Sequence, residues 1–237
     1  RQGLNEALNY LGLERLSYVG IPDFVSHCVI DFIGRKATPV PIRFIPPDQC
    51  AAILVYDQWG WQKPKFARDE IALKFSGAKI IWDRVDSLVS SFEEVAREGE
   101  VEADIQLFSL SKTLGAGGGG MVWITGQGWL RRKASMDMRL VADLNRLLAE
   151  YQGDPCAQMK LDRFFRNESD CLPPRLEKWL SQNEPEQAAV TEYNERRKRL
   201  ELCLKYLSLP HWMLDQVETE DGPMPGIFPL PISRAES

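Results

Sequence analysis

A single lysine precedes a run of glycines in the segment SLSKTLGAGGGGMVWI, which covers residues 109–124. Ser109, Ser111 and Lys112 stand at the end of an apolar stretch that is typical of a buried strand. A lysine amine inside an α/β protein costs free energy unless it reacts or pairs with a charge. Because a neutral amine can form a Schiff base with an aldehyde, Lys112 is a candidate nucleophile.

A candidate acid lies upstream, where the segment AKIIWDRVDSL ends an apolar stretch at Asp83. Open α/β sheets carry ligand groups at the carboxyl ends of their strands, and Asp86 follows close behind. Pyridoxal 5'-phosphate (PLP) is the usual aldehyde partner of a lysine, and it needs an acid that keeps its pyridine nitrogen protonated. Lys112 and Asp83 together therefore predict a PLP site. A strand-end aspartate alone is also typical of a turn or a helix cap.

The glycines after Lys112 match the pattern GxGxxG at Gly115, Gly117 and Gly120. A dinucleotide-binding loop needs a helix after its glycines, because the pyrophosphate lies on the N-terminus of that helix. The apolar segment MVWITG that follows predicts a strand instead, and a P-loop is excluded because its lysine comes after the glycines. We predict a tight turn into a strand, and a flexible turn without any chemical role is the alternative.

Strands and helices alternate along residues 1–128, which predicts βαβ units around a mostly parallel sheet. The expected fold is a three-layer α/β/α sandwich. The expected helices are GLNEALNYLGL closed by Gly12, FVSHCVIDFIGRK ended by Gly34, FARDEIALKFSG and SFEEVAREGE. The expected strands are LSYVGIP, TPVPIRF, CAAILVYD, AKIIWD, ADIQLFSL and GGMVWITG.

After residue 128, the pattern of alternating strands and helices gives way to long charged segments. WLRRKASMDMRLVADLNRLLAEY and QAAVTEYNERRKRLELCLKYL are typical of long charged helices, and FPLPIS is typical of a strand. We predict a PLP-binding α/β core over residues 1–128, and linking helices with the start of a small C-terminal domain over residues 129–237. Both ends interrupt expected elements, so we expect the chain to be part of a longer protein.

Composition narrows the class of function. The chain has 237 residues and a formal net charge of -5 at pH 7, which argues against a nucleic-acid or anionic-membrane surface. No apolar run is long enough to span a bilayer. Five scattered cysteines without a CxxC pair, and two histidines, predict neither a metal site nor a disulfide framework. Scattered thiols in an acidic protein predict a cytoplasmic location.

The order of these segments resembles the PLP-dependent aminotransferases of fold type I, and most closely the DegT-type group of sugar aminotransferases. In that family an acid ends a strand, and a lysine follows a serine-bearing strand and precedes a glycine-rich turn. The segments RQGLNEALNYLGL, VGIPDFVSHCVIDFI, ATPVPIRF and ILVYDQWGW resemble the family's upstream elements in order. The resemblance covers residues 1 to about 128, and YNERRKRLELCLKYL and FPLPI resemble later elements.

The resemblance implies a role for each candidate residue. Lys112 would hold PLP as a Schiff base and move protons, and Asp83 would pair with the pyridinium nitrogen. Ser109 and the backbone at Gly3 and Leu4 would bind the phosphate. The resemblance also implies a homodimer, with an amino donor and a keto-sugar nucleotide as small-molecule substrates.

Three positions depart from the family pattern. Asp86 stands where a Gln or His usually faces the phenolic oxygen of the cofactor, and a carboxylate would repel that oxygen unless one of the two is protonated. Ser26 aligns with the ring-stacking position, with Phe24 and His27 beside it. Leu4 stands where a hydroxyl residue is common, which removes one phosphate donor.

These departures leave three functions open. The first is an aminotransferase, in which Lys112 is both Schiff-base partner and general base. The second is another PLP enzyme of the same fold, such as a lyase or dehydratase. The third is a partner subunit with an impaired site, which the departures at Asp86, Leu4 and Ser26 favour.

Overall fold

A computed structural model describes residues 2–62, 65–130, 146, 174–206, 211, 214 and 224–225. The strand-like FPLPIS lies outside the described residues, and so does the greater part of the helix expected over residues 129–151. The division of the chain into two domains therefore stays a prediction.

The described residues form helices and strands in the alternating order that the sequence predicts. The helices are α1 (Gln2–Tyr10), α2 (His27–Lys36), α3 (Lys65–Lys74), α4 (Phe92–Glu98), α5 (Leu110–Leu114), α6 (Pro174–Gln182) and α7 (Pro185–Leu204). The strands are β1 (Tyr18–Ile21), β2 (Thr38–Pro41), β3 (Cys50–Tyr56), β4 (Lys79–Asp83), β5 (Ser87–Leu88), β6 (Ile105–Phe108), β7 (Met121–Ile124), β8 (Gly128–Trp129) and β9 (Met224–Pro225). Within these residues, no helix is both long and apolar enough to cross a bilayer.

Seven of the described strands form one sheet in the order β2-β1-β3-β4-β6-β7-β8. The five strands from β2 to β6 in that order pair in parallel. The pairs β6–β7 and β7–β8 are antiparallel, and the short strands β5 and β9 pair separately. The expected α/β fold with a mostly parallel sheet is confirmed.

Helices cover both faces of the sheet, because successive strand residues point to opposite sides. On β3, Leu54 packs with the residues of α1 and α2, whereas Val55 packs on the opposite face near Phe75, which follows α3. The apolar residues of α4, α6 and α7 pack on that opposite face around Phe108 and Trp123. Apolar residues therefore predominate on both faces of the buried strands, as expected for a sheet that is covered twice, and Gln106 of β6 is a buried polar exception.

Glycines were expected to end three helices, at Gly12, Gly34 and Gly77, and the third of these helices, α3, ends at Lys74, before Gly77. Gly12 follows α1 with a φ of 62°, the left-handed conformation that closes many helices. Gly34 does not end α2, which corrects the expectation: the helix continues to Lys36, and the Ala37 N–H still bonds to the Ile33 carbonyl. Ile33 is fully buried against the sheet, so its packing holds the last turn in place despite the glycine.

Candidate active site

The carboxyl ends of four parallel strands meet at one edge of the sheet. β1, β3, β4 and β6 are consecutive neighbours, and they end at Ile21, Tyr56, Asp83 and Phe108. The residues that follow these strands therefore lie at one edge, which is where open α/β sheets bind ligands. Asp83, Asp86 and Lys112 all belong to this edge.

Lys112 lies in a short helix and not on a strand, which corrects the sequence-based expectation. β6 ends at Phe108, and Ser109 is the N-cap of α5, where its hydroxyl accepts the Lys112 N–H at 3.2 Å. The Thr113 hydroxyl donates to the Ser109 carbonyl at 2.5 Å. The chain turns into a helix here because the serine satisfies an N–H that the first turn leaves without a partner. The Lys112 side chain is 53% exposed, so it is not the buried amine that we expected.

Asp83 ends β4 with its side chain on the face that α1 covers. Ile81, two residues earlier, packs in the cluster formed with α1 and α2, and the strand period of two places Asp83 on the same side. The carboxyl is buried, and Oδ1 accepts the Val85 N–H at 3.2 Å. Burial raises the pKa of Asp83 to about 6, while the Val85 N–H and the charge of Lys112 lower this pKa. Lys112 and Asp83 therefore act on each other electrostatically.

Asp86 connects the turn after β4 to α5. Its Oδ1 lies 2.7 Å from Lys112 Nζ, and its Oδ2 accepts the hydroxyl of Tyr56. Tyr56 ends β3 and is the register partner of Asp83. Burial raises the pKa of Tyr56, Asp86 raises it further, and the backbone N–H of Trp59 lowers it. The hydroxyl therefore stays protonated and acts as a donor. Tyr56 was not among the residues that we inferred from the sequence.

The first turn of α1 begins beside the ends of β6 and β7. A Cβ added at Gly3 would lie 3.2 Å from Val122 Cγ2 and 3.8 Å from Leu107 Cδ2, so the helix approaches the sheet closely here. The side chain of Leu4 is buried in the core with α2. The N–H groups of Gly3 and Leu4 belong to the first helical turn, which has no carbonyl partners within the helix. They are suitable donors for an anion, and the phosphate-binding role that the resemblance implies for them stays a prediction.

Ser26 lies at the same edge, after β1, but it is not joined to the other candidates. It is the N-cap of α2, makes no side-chain cap bond, and its hydroxyl lies 3.1 Å from Cys28 Sγ. Phe24 beside it is exposed. Within the described residues, no hydrogen bond or ion pair of Ser26 reaches Asp83, Asp86 or Lys112. The ring-stacking role of Ser26 stays a prediction.

A buried ion pair occupies the opposite face of the same strand ends. Asp57 follows Tyr56, is 0% exposed, and has Oδ2 3.8 Å from Nε of Arg84, too far for a hydrogen bond. Arg84 Nη1 donates to Gln106 Oε1 at 3.1 Å, and the guanidinium lies 4.3 Å from the Trp82 ring centroid. Burial raises the pKa of Asp57 to about 7 and lowers that of Arg84 to about 10.

The sequence contains a signal for Asp57 that the predicted site residues did not include. Asp57 ends the apolar run ILVYD in the same way that Asp83 ends KIIWD. Only the register shows that the two carboxyls lie on opposite faces, because Tyr56 and not Asp57 is the partner of Asp83. Arg84 and Asp57 therefore lie on one face of the sheet at the strand ends. Tyr56, Asp83 and Asp86 lie on the other face, which α1 covers.

The glycines form a turn that leads into β7. Gly115, Gly117 and Gly119 have φ values of 65°, 73° and 82°. A Cβ at Gly120 would lie 2.7 Å from the carbonyl oxygen of Phe108, so bare backbone is required where the turn returns to β6. No helix follows these glycines up to residue 130, and the predicted turn into a strand is confirmed. Among the described residues, no group of three or more His, Cys, Asp or Glu could hold a metal ion.

No protein-family model matches this chain, and no curated protein matches it. Among solved structures, it is similar to the aminotransferase TlmJ from Streptoalloteichus hindustanus, with 19% identity over 51% of this chain and 37% of that one, and a TM-score of 0.39. It is similar to a phosphoserine aminotransferase, SerC, from Cytophaga hutchinsonii, with 16% identity over 81% and 52% of the two chains and a TM-score of 0.39.

A third solved structure is described as a cystathione gamma lyase. This protein, CalE6 from Micromonospora echinospora, has 14% identity over 94% of this chain and 58% of its own, with a TM-score of 0.46. The chain spans between 37% and 58% of the length of these three structures. The chemistry of the site is therefore inferred from the residues of this chain and not from these three structures.

Proposed function

We propose that the chain is the core of a PLP-dependent aminotransferase. The observation that carries the proposal is the placement of a lysine and a buried carboxyl at the carboxyl ends of adjacent parallel strands, close enough for the lysine charge to lower the pKa of the carboxyl. The segment from Asp83 to the glycine turn resembles the corresponding segment of the DegT-type aminotransferases. The resemblance and the placement support the same two residues, Lys112 and Asp83.

The residues at this edge fit PLP in the chemistry of their donors. Lys112 offers an amine on an exposed side chain, which a ligand can reach. Asp83 offers a carboxyl whose second oxygen accepts no hydrogen bond from the described residues, which suits a pyridinium N–H. The N–H groups of Gly3 and Leu4 and the hydroxyl of Ser109 suit the phosphate.

When bound, PLP supplies an electron-withdrawing ring that stabilises negative charge on a neighbouring carbon. Asp83 keeps that ring protonated, because an ionised carboxylate in a buried position favours a cation beside it. Lys112 supplies Nζ as nucleophile, and its free amine moves a proton between the reacting carbons. The N–H groups of Gly3 and Leu4 in the first turn of α1 would bind the phosphate and hold the cofactor in place.

The resemblance supports an amino acid as donor and a keto-sugar nucleotide as acceptor. We further propose that the full protein works as a homodimer in the cytoplasm. The resemblance supports the substrates and the homodimer, whereas the scattered cysteines support the cytoplasmic location.

Borohydride reduction tests the cofactor. The chain is saturated with PLP, reduced and digested, and mass spectrometry locates the adduct. We expect the adduct on the peptide that contains Lys112, and no yellow absorption or turnover in Lys112→Ala. Lys79→Ala is the matched control, because Lys79 is an exposed lysine in a similar ion pair with Asp104. An unmodified Lys112 peptide would reject the proposal and favour a partner subunit.

An amino donor tests the reaction. Adding glutamate to the PLP-loaded protein should convert its absorption to that of the pyridoxamine form, with 2-oxoglutarate released in equal amount. A PLP adduct on Lys112 without this conversion would favour the lyase or dehydratase alternative. The same assay with keto-sugar nucleotides as acceptors identifies the second substrate by the return of the original spectrum.

A further inference from the structure

We propose that Asp86, held by Tyr56, is the docking group that receives the free amine of Lys112 during turnover. The inference rests on the proposed function, because it concerns the moments at which Lys112 is not covalently bonded. It adds a positioning role for Tyr56 and a contact role for Asp86 that the family pattern does not contain, since Asp86 replaces a residue that usually faces the cofactor.

Tyr56 fixes Asp86 from one side. The tyrosine lies at the end of β3, in register with Asp83 of β4, so its backbone belongs to the rigid part of the sheet. Its half-buried hydroxyl donates to Asp86 Oδ2. The raised pKa of Tyr56 agrees with a permanent donor. A carboxylate that accepts this bond has one oxygen left for Lys112.

The amine of Lys112 donates a hydrogen bond to that second oxygen, Oδ1. The distance from Nζ to Asp86 Oδ1 is 2.7 Å, which is the length of a charge-assisted hydrogen bond. Asp86 is only 18% exposed, whereas Lys112 is 53% exposed. The acceptor is therefore the more buried member of the pair, held by Tyr56, and the more exposed lysine side chain reaches it. A docking group for a movable amine requires this difference in exposure, because the acceptor has to stay in place while the amine leaves and returns.

The proton balance of the reaction gives the contact its use. An incoming amino group arrives as an ammonium; its nitrogen bonds to the carbon that Nζ held, and the bond from Nζ to that carbon breaks. The three protons of the incoming ammonium pass to Nζ as its bonds to that carbon break, so Lys112 is released as an ammonium. Asp86 neutralises this charge and keeps Nζ at the sheet edge. Nζ then releases one proton to solvent and, as a neutral amine, is within reach for the proton transfers that follow. Without Asp86, the freed side chain extends into solvent.

Chemical labelling of the cofactor-free chain tests the docking directly. Acetic anhydride acylates neutral amines, so a lysine held as an ammonium by a carboxylate reacts slowly. We expect Asp86→Asn to raise the rate of acylation at Lys112 about two- to fivefold at pH 8, the range that a partly exposed ion pair provides. Tyr56→Phe should raise the rate less, because Asp86 keeps its charge and loses only its anchor. Mass spectrometry reports the rate for each lysine separately.

A matched pair elsewhere in the chain serves as the control. Lys79 Nζ lies 2.8 Å from Asp104 Oδ1 at the other end of the sheet, with a lysine exposure of 58%. Asp104→Asn should accelerate acylation at Lys79 and leave Lys112 unchanged, and Asp86→Asn should do the reverse. A rate at Lys112 that is equal in the parent chain and in folded Asp86→Asn would overturn the proposal. If Asp86→Asn does not fold, Asp86→Ser gives the same comparison.

A kinetic measurement tests the proposed role of Asp86 in turnover. In the PLP-loaded protein, Asp86→Asn should lower kcat for the conversion by glutamate about tenfold with little change in KM. The reason is that the freed amine loses its position, whereas the substrate keeps its contacts. Faster labelling together with an unchanged kcat would reject the role in turnover. Faster labelling without any PLP adduct on Lys112 would reject the proposed function and this role with it. An adduct on Lys112 with unchanged labelling rejects this inference alone.

Discussion

Lys112 Nζ and Asp86 Oδ1 lie 2.7 Å apart, although the two residues are 26 positions apart in the chain. The contact exists because β4 and β6 are neighbours in the sheet, while α4 passes between them over one face. Asp86 follows β4 and Lys112 follows β6, so the parallel order brings both to one edge. The candidate site is therefore a product of sheet order more than of any local motif.

Replacing Asp83 by asparagine should separate cofactor binding from turnover. The amide keeps the shape of the side chain but cannot hold a pyridinium cation, so we expect PLP to remain bound and turnover to fall on the order of 100-fold. Absorption spectra and steady-state rates check the two effects independently. Asp104→Asn, at the other end of the sheet, is the control and should retain the parent rate. Full activity in Asp83→Asn would remove Asp83 from the site.

Stability should fall as pH rises from about 4 to about 7, because of Asp57. Burial raises its pKa from the ordinary 3.8 to about 7, so in this window the folded state keeps a proton that the unfolded chain has lost. One such group gives a slope of about -1.4 kcal/mol per pH unit in the free energy of unfolding. Asp83, with a pKa of about 6, contributes in the same direction at the lower end of the window.

Urea unfolding between pH 4 and pH 8 measures this slope. We expect Asp57→Asn to reduce the slope most clearly between pH 6 and pH 7, where Asp83 contributes less than half of its full slope. The exposed Asp69 on α3 provides the control, and Asp69→Asn should leave the slope of the parent chain. A slope that persists in Asp57→Asn would assign the titration to another group.

Gly120→Ala should destabilise the chain by about 1–3 kcal/mol, because the new Cβ would lie 2.7 Å from a backbone oxygen that cannot move without disturbing β6. Gly77→Ala is the matched substitution, since a Cβ there meets nothing within 4 Å and its φ is not positive. It should be neutral or stabilise by about 0.4–1 kcal/mol. Thermal unfolding of both variants distinguishes a steric need for glycine from a general need for flexibility.

Leu8→Ala should lower the free energy of unfolding by about 2–5 kcal/mol, the cost of an unfilled cavity in a packed core. Leu8 is fully buried between α1 and the sheet, in the cluster that also holds Leu4 and Ile81. Leu16→Ala is the control, because Leu16 is 89% exposed and should change stability by less than about 0.5 kcal/mol. Equal effects of the two substitutions would contradict the packing of α1 on this face.

The alternation of strands and helices could be predicted from the sequence, because most of the buried strands are short apolar runs, and Pro22, Asp57 and Asp83 mark the ends of β1, β3 and β4. The same pattern predicts that Asp83 lies at the end of its strand. The step from Phe108 to Lys112 could not be predicted as a helix, because one short turn carries no periodic pattern, and only the cap at Ser109 marks its start.

The sequence by itself determined which groups are available: one lysine before a glycine turn, acids after apolar strands, and a mostly parallel sheet to hold them. Only the tertiary structure decided which of these groups meet. Register places Tyr56 beside Asp83 and turns Asp57 to the opposite face, where it lies beside Arg84. The physical reason is that a strand's side chains alternate between two faces, so a one-residue difference in register separates a carboxyl in the site from one in the core.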